Sequence, residues 1–276
     1  MDRTEYRQNS LETWNQLAPT WDELRDEIGT PVAPVRDRML ELLDPEEGET
    51  MLDIACGAGE LTELVAPRVG RVICTDFAEG MLSAARRRGE ERGLSNVEYR
   101  QMDAENMDLD DASVDGATCR FGYMLMSDPV AAMQETKRVM RDGGRVVFAV
   151  WGEAVRNPWA LVPASVLLER GHLPPPDPDG PGIFALGDRG RLESTLDAAG
   201  LDPSDIEDVE IQHQIADEEA LWNRVSTTMG PLAKAISEQP EDEQGAIRAA
   251  IAERAEQFRG DDGYHLAGAV WVVRAT

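Results

Sequence analysis

The sequence predicts an α/β fold: a doubly wound, mainly parallel, seven-stranded sheet with helices on both faces and a helical cap. Three observations carry this. Short apolar runs alternate with helical patterns through the first half of the chain, as parallel strands joined by crossover helices require. The first strand-like run opens directly into two closely spaced glycines, Gly57 and Gly59, and then a helical pattern. A long helical stretch separates the last two strand-like runs, and such excursions tend to cover pockets.

Taken in order, the pattern predicts strands over 50–54, 71–75, 97–101, 114–119 and 145–150, with helices over 59–66, 78–92 and 129–140 between them. Asp142-Gly143-Gly144 is expected to break the third helix and turn the chain into the fifth strand. Upstream, 9–28 carries Trp14, Leu17, Trp21 and Leu24 at three- and four-residue spacing, an apolar stripe that must cover something. Downstream, the proline- and glycine-rich stretch 172–190 reads as a loop or boundary, followed by a helix over 191–199. Two further strands are expected near 209–215 and 269–274, with helices over 218–237 and 241–258 between them. Residues 1–150 then form a ligand-binding core with an N-terminal helical lid. Residues 151–276 complete the sheet, and the insertion 218–258 caps a substrate site.

Composition narrows the function. At 276 residues the chain can bury most of its apolar surface without a metal or disulfide scaffold. Its three cysteines and three histidines are scattered, so no metal site or disulfide framework is spelled out and a reducing cytoplasm is expected. No apolar run is long enough to span a bilayer, and 1–10 lacks the pattern of a secretory leader. The balance of 27 basic and 53 acidic residues, net −26, repels phosphate backbones, which argues against nucleic acid as a partner. The triplet Arg86-Arg87-Arg88 reads as a solvated helix face. A monomer or homodimer is expected.

The informative segment is Asp53 to Thr62. Glycines at 57 and 59 permit a tight turn and let a ligand lie against backbone amides at a helix start. Asp76 ends the next strand, where a carboxylate can accept from both hydroxyls of a ribose. Two cofactor classes fit these features, a nicotinamide dinucleotide or S-adenosylmethionine (SAM). A dinucleotide fingerprint would place a third glycine at 62, where this chain has Thr62. Asp53, inside an apolar strand, needs a partner: the amino group of a bound methionine moiety, or the glycine turn itself.

These residues resemble the class I SAM-dependent methyltransferases, in particular the branch that includes the ubiquinone and menaquinone C-methyltransferases. Leu52-Asp53-Ile54-Ala55-Cys56-Gly57-Ala58-Gly59 is similar to that family's first motif and Cys74 to Leu82 to its second. Met102-Asp103-Ala104-Glu105 is similar to the adenine-contacting stretch. Arg120-Phe121-Gly122, with Asp128 and 138–145, resembles the region spanning the fourth and fifth strands. The resemblance covers about 10–150, and the insertion between the last two strands departs from the quinone enzymes.

The resemblance implies a Rossmann-like fold and SAM as cofactor, with S-adenosylhomocysteine (SAH) as product. Asp53, Ala55, Gly57 and Gly59 would surround the methionine end. Asp76 would hold the ribose, with Phe77 and Met81 packing on the adenine. Met102, Asp103 and Ala104 would close the adenine site, and Arg120, Phe121 and Gly122 would lie beside the reactive end. The expected function is methyl transfer to a small-molecule acceptor by direct in-line displacement. A non-catalytic SAM-binding protein and an NAD-dependent oxidoreductase are the alternatives. Of Tyr123, Arg120 and His172, the candidate bases, none is assigned, because an activated methyl donor mainly requires alignment of the acceptor.

Overall fold

The computed structural model describes residues 3–276, the side chain of Asp26 excepted. The chain opens with α1 (Arg3–Glu23), α2 (Arg25–Gly29) and α3 (Ala33–Leu43). It then alternates β1 (Thr50–Ile54), α4 (Glu60–Val65), β2 (Arg71–Asp76), α5 (Glu79–Glu91), β3 (Val97–Gln101), β4 (Val114–Arg120), α6 (Pro129–Val139) and β5 (Met140–Trp151). The remainder is α7 (Pro158–Glu169), α8 (Arg189–Ala199), β6 (Pro203–Ile215), α9 (Glu218–Thr227), α10 (Pro231–Ser237), α11 (Glu241–Ala255), β7 (Arg259–Gly260) and β8 (Gly263–Ala275).

The strands form one sheet in the order β3-β2-β1-β4-β5-β8-β6, with the two-residue β7 pairing on β8. β3 to β5 run parallel; β8 is antiparallel to both β5 and β6. Chain order reverses between β1 and β4, and a crevice at the carboxyl ends of those strands is where such sheets bind ligands. Helices cover both faces of the parallel half, so β1 and β4 are buried along most of their length on both sides.

Several boundaries differ from expectation for identifiable reasons. The fifth strand begins at Met140, and Asp142-Gly143-Gly144 lies inside it, as an irregularity where the β4 register shifts. β6 begins at Pro203 and β8 at Gly263, both earlier than expected. The added residues of β6 are polar and largely exposed on an edge strand, which leaves no apolar alternation to read. The stretch 218–237 is two helices, broken where Gly230 takes a φ of 45° ahead of Pro231. Two helices were not foreseen. α3 has Pro34 in its first turn, where proline is tolerated, and α7 is apolar all round with Pro163 inside it, so it shows no stripe.

Among the described residues three apolar clusters result, the smallest of them between α1 and α5. The largest lies on both faces of the sheet; the second joins α7, α9, α10 and α11 to Ile215, Tyr264 and Leu266 of the β6–β8 pair. Beyond Trp151, which pairs with Val270, β5 ends while β6 and β8 continue as a two-stranded overhang. That overhang carries the second core to the carboxyl end of the sheet. Among the described residues, no helix is long and apolar enough to cross a membrane.

Candidate active site

The turn after β1 is built from unusual backbone. Ala55, Gly57 and Gly59 all have positive φ, at 52°, 56° and 82°. Gly59 has a second constraint, since a Cβ there would stand 2.9 Å from the Ala85 Cβ of α5. A Cβ on Gly57 would meet nothing within 4 Å, so its backbone faces open space. Non-glycine residues at positive φ mark stored strain that functional sites tolerate, and Phe121, at 60°, is another at the end of β4. Its neighbour Gly122 brings the two strand ends together, because a Cβ there would lie 2.8 Å from the Ala55 Cβ.

Two carboxylates brace this turn. Asp53, 3% exposed, accepts from the hydroxyls of Thr62 at 2.6 Å and Thr118 at 2.9 Å. Burial raises its pKa, and those two hydrogen bonds oppose the shift. Thr62 thus stands where a dinucleotide fingerprint would have glycine, and ties α4 to β1. Asp76 accepts from the amides of Gly57 at 2.9 Å and Ala78 at 2.8 Å, and burial pushes its pKa up to about 6. Met102 donates its amide to the Asp76 carbonyl at 2.9 Å, bringing β3's end alongside.

The remaining predicted residues divide. Phe77, Asp103 and Ala104 lie along the same edge, but Arg7 of α1 reaches over them. Its guanidinium pairs with Asp103, bonds Glu105 at 2.6 Å and sits 5.5 Å from the Phe77 ring centroid. Met81, 2% exposed, is packed instead under α1 with Ala18, Trp14, Leu17 and Trp21. The two tryptophans meet edge to face, 5.3 Å apart, and anchor α1 on α5. Further latches run along α1: Asn15 accepts from the Gly80 amide at 2.8 Å, Tyr6 donates to the Leu125 carbonyl at 2.8 Å, and Asp22 takes Arg87 and Arg88. With Arg86 lying over the Tyr99 ring, the basic triplet is engaged within the fold.

Arg120 donates to Glu60 at 2.6 Å, and Arg36 bonds the same carboxylate at 3.1 Å. Against the cost of burial, those arginines hold the Glu60 carboxyl below its usual range. The other terminal nitrogen of Arg120, Nη1, is buried without a partner among the described residues. The other candidate bases are engaged elsewhere: the Tyr123 hydroxyl is buried against Thr136 at 2.7 Å, and His172 bonds Glu243 at 2.6 Å beside Arg170.

The methyltransferase domain family matches residues 52–148. The aklanonic acid methyltransferase DauC of Streptomyces sp. (strain C5) is 31% identical over 151 residues, 54% of this chain and 67% of that one. The ubiquinone/menaquinone biosynthesis C-methyltransferase UbiE of Idiomarina loihiensis is 30% identical over 175 residues, 59% of this chain and 70% of that one. The chain belongs to the class I SAM-dependent methyltransferases. The fold agrees. The YcgJ protein of Bacillus subtilis has a TM-score of 0.60 at 20% identity, covering 87% of this chain and 96% of that one. The cyclase SpnF has the same TM-score at 19% identity, covering 95% and 96%. A cyclase on this fold illustrates why the reaction must be argued from the site.

The methyltransferase also carries groups beside its crevice that sequence reasoning missed. Glu105 accepts from the Ser127 amide and hydroxyl at 2.8 Å, joining the β3 and β4 loops. Past Phe121 lies a run of rings, Trp151, Trp159 and His213. Their spacing, more than fifty residues between Trp159 and His213, leaves no local signal. Asn157, fully buried, holds Trp159: its Oδ1 accepts from the Trp159 indole and the Ala269 amide, each at 3.0 Å.

Proposed function

We propose that the crevice between the ends of β1, β2 and β4 binds SAM, and that the methyl acceptor is a small molecule entering from the β4–β6 side. The observation that carries this is the left-handed turn of Ala55, Gly57 and Gly59 facing open space at Gly57, with the Asp76 carboxylate fixed at its rim. Gly57 leaves room for the methionine end to approach backbone. Asp76 accepts from the ribose hydroxyls. Phe77, Met102, Asp103 and Ala104 line the adenine side, and Met81 supports Phe77's turn from beneath α1. The unpartnered Nη1 of Arg120 suits the amino-acid carboxylate, with Glu60 holding the guanidinium in place. Asp53 shapes the turn through Thr62 and Thr118.

Bound SAM supplies a methyl group already activated by its sulfonium, so the protein needs no nucleophile of its own. Gly122 and Phe121 set the boundary between the cofactor and the acceptor, and alignment across it can lower the barrier by about 7–11 kcal/mol. α1 on one side and the helices of 218–258 on the other exclude water, which strengthens every polar interaction between them. The relatives named for quinone and aklanonic acid methylation support a small, flat, oxygenated acceptor, and the net charge of −26 supports one that is not a nucleic acid.

Calorimetry is the direct test: SAH binds and NAD does not. NAD binding without SAH binding overturns the assignment. Incubation with methyl-labelled SAM and a metabolite extract then places label in a small molecule, and tight SAM binding with no labelled product would favour a non-catalytic role.

A further inference from the structure

The β6–β8 overhang puts one polar side chain where an apolar one is expected. Ile211, His213 and Ile215 alternate inward along β6, and His213, opposite Leu266, is 2% exposed. Its ring closes a series that starts at the crevice. Phe121 stacks on Trp151 with centroids 4.6 Å apart and planes 8° from parallel; Trp151 meets Trp159 at 4.6 Å, and Trp159 meets His213 at 5.0 Å.

The hydrogen bonding of His213 assigns its proton. An arginine guanidinium only donates, so the 2.7 Å bond between Arg224 and His213 Nδ1 makes Nδ1 the acceptor. The neutral ring must then carry its hydrogen on Nε2. Burial and the Arg224 charge keep it neutral, pushing its pKa down to about 3. Nε2–H is therefore a fixed donor, and it is buried with no partner among the described residues. A buried donor left unmade costs free energy that native folds avoid unless a ligand or an ordered water supplies the acceptor. This tautomer also removes His213 as a general base, since neither nitrogen has a free lone pair.

Arg224 sharpens what that ligand brings. Most arginines here find a carboxylate, but among the described residues none lies within ion-pair distance of Arg224, and Glu27 opposes its desolvation only from further away. The guanidinium behind the imidazole makes Nε2–H a stronger donor and leaves the pair with a positive charge that Glu27 offsets only from beyond ion-pair distance.

We infer that His213, positioned by Arg224 and flanked by Trp151 and Trp159, with Phe121 stacked on the far side of Trp151, binds an anionic oxygen, a carboxylate or enolate, on a flat conjugated methyl acceptor. The inference rests on the reading of the crevice as the SAM site. The rings offer an apolar wall for a planar group, and Nε2–H fixes its orientation relative to the crevice.

The test is calorimetry on the full chain saturated with SAH, using 2-naphthoate and the neutral naphthalene-2-methanol as probes. The unaltered protein is expected to bind the naphthoate at least tenfold more tightly. His213→Phe and Arg224→Met should each abolish that preference while SAH affinity and the melting temperature stay close to those of the parent. His213→Gln, which restores a donor, should recover part of it. SAH binding without discrimination between the probes, or a preference that survives both variants, overturns this inference alone. Failure to bind SAH overturns the cofactor reading and this one with it.

Discussion

The two halves of the carboxyl edge differ in how their polar groups are satisfied. At the β1–β2 half, Asp53 and Asp76 already hold hydrogen bonds from Thr62, Thr118, Gly57 and Ala78. At the β4–β6 half, Arg120 Nη1 and His213 Nε2 are buried without partners among the described residues. The first half is a preformed cradle whose shape needs no ligand. The second holds donors open to a ligand, so changes there should alter recognition more than shape.

Asn157 couples the two halves most directly, because it ties the overhang to β5. Its amide nitrogen donates to the carbonyls of Glu153 at 3.0 Å and of Gly152 and Ala269 at 3.3 Å, while its oxygen accepts from Ala269 and Trp159. Asn157→Ala leaves a backbone amide and an indole unpaired in the core, at about 1–3 kcal/mol each. Urea denaturation should therefore show a loss of about 3–5 kcal/mol. SAH affinity of the protein that remains folded should change less than threefold. A large loss of SAH affinity would mean the halves are not independent.

On the cradle side, Asp76→Ala should weaken SAH binding by roughly 1.5–3 kcal/mol, the worth of hydrogen bonds to a charged group, without unfolding the domain. The pH dependence sharpens this. Because burial raises Asp76 to about 6, the unliganded protein takes up a proton as the pH falls through that value, whereas ribose hydroxyls favour the carboxylate. SAH affinity should fall about tenfold per pH unit below about 6, and Asp76→Asn should flatten the profile. A parent profile flat between pH 5 and 7 would remove Asp76 from the ribose.

Stability should respond to acid with opposite signs in the two halves. For Asp76 the folded pKa is raised, so its unfavourable contribution at neutral pH is relieved as the pH falls from about 6. For His213 the folded value is lowered to about 3, so below about 6.5 the unfolded chain binds a proton that the folded one refuses. That costs about 1.4 kcal/mol per pH unit, and His213→Phe should lose less stability than the parent between pH 6.5 and 5. Equal losses in the two proteins would show that His213 is protonated in the fold.

The same division decided how much could be read in advance. β1, β2 and β4 are short runs buried on both faces, and their glycine and aspartate punctuation sits within a few residues of each strand. The crevice was therefore legible down to Asp53, Gly57, Gly59 and Asp76. β6 begins with polar edge residues, α7 has no polar face, and His213 meets Trp159 only through tertiary packing. None of those leaves a periodic or local trace. Even within the cradle, spacing could not say whether Asp53 turns inward, because its partner Thr118 lies 65 positions away on another strand.

The smallest expected effect lies at Arg7, which spans the cradle from outside. It holds Asp103 and Glu105 and covers Phe77, all at the proposed adenine side. The pair is partly exposed, so Arg7→Ala should lower stability by no more than about 1 kcal/mol. If an adenine amine takes the Asp103 carboxylate, Arg7 must release it, and removing the side chain removes that competition. SAH affinity should then rise by about two- to fivefold, the equivalent of a partly exposed ion pair. A fall in affinity of that size would instead make Arg7 the roof of the adenine site, holding the base against Phe77. Either direction is resolved by calorimetry, and the expected one requires α1 to loosen at Arg7 while its Trp14 and Trp21 anchor stays on α5.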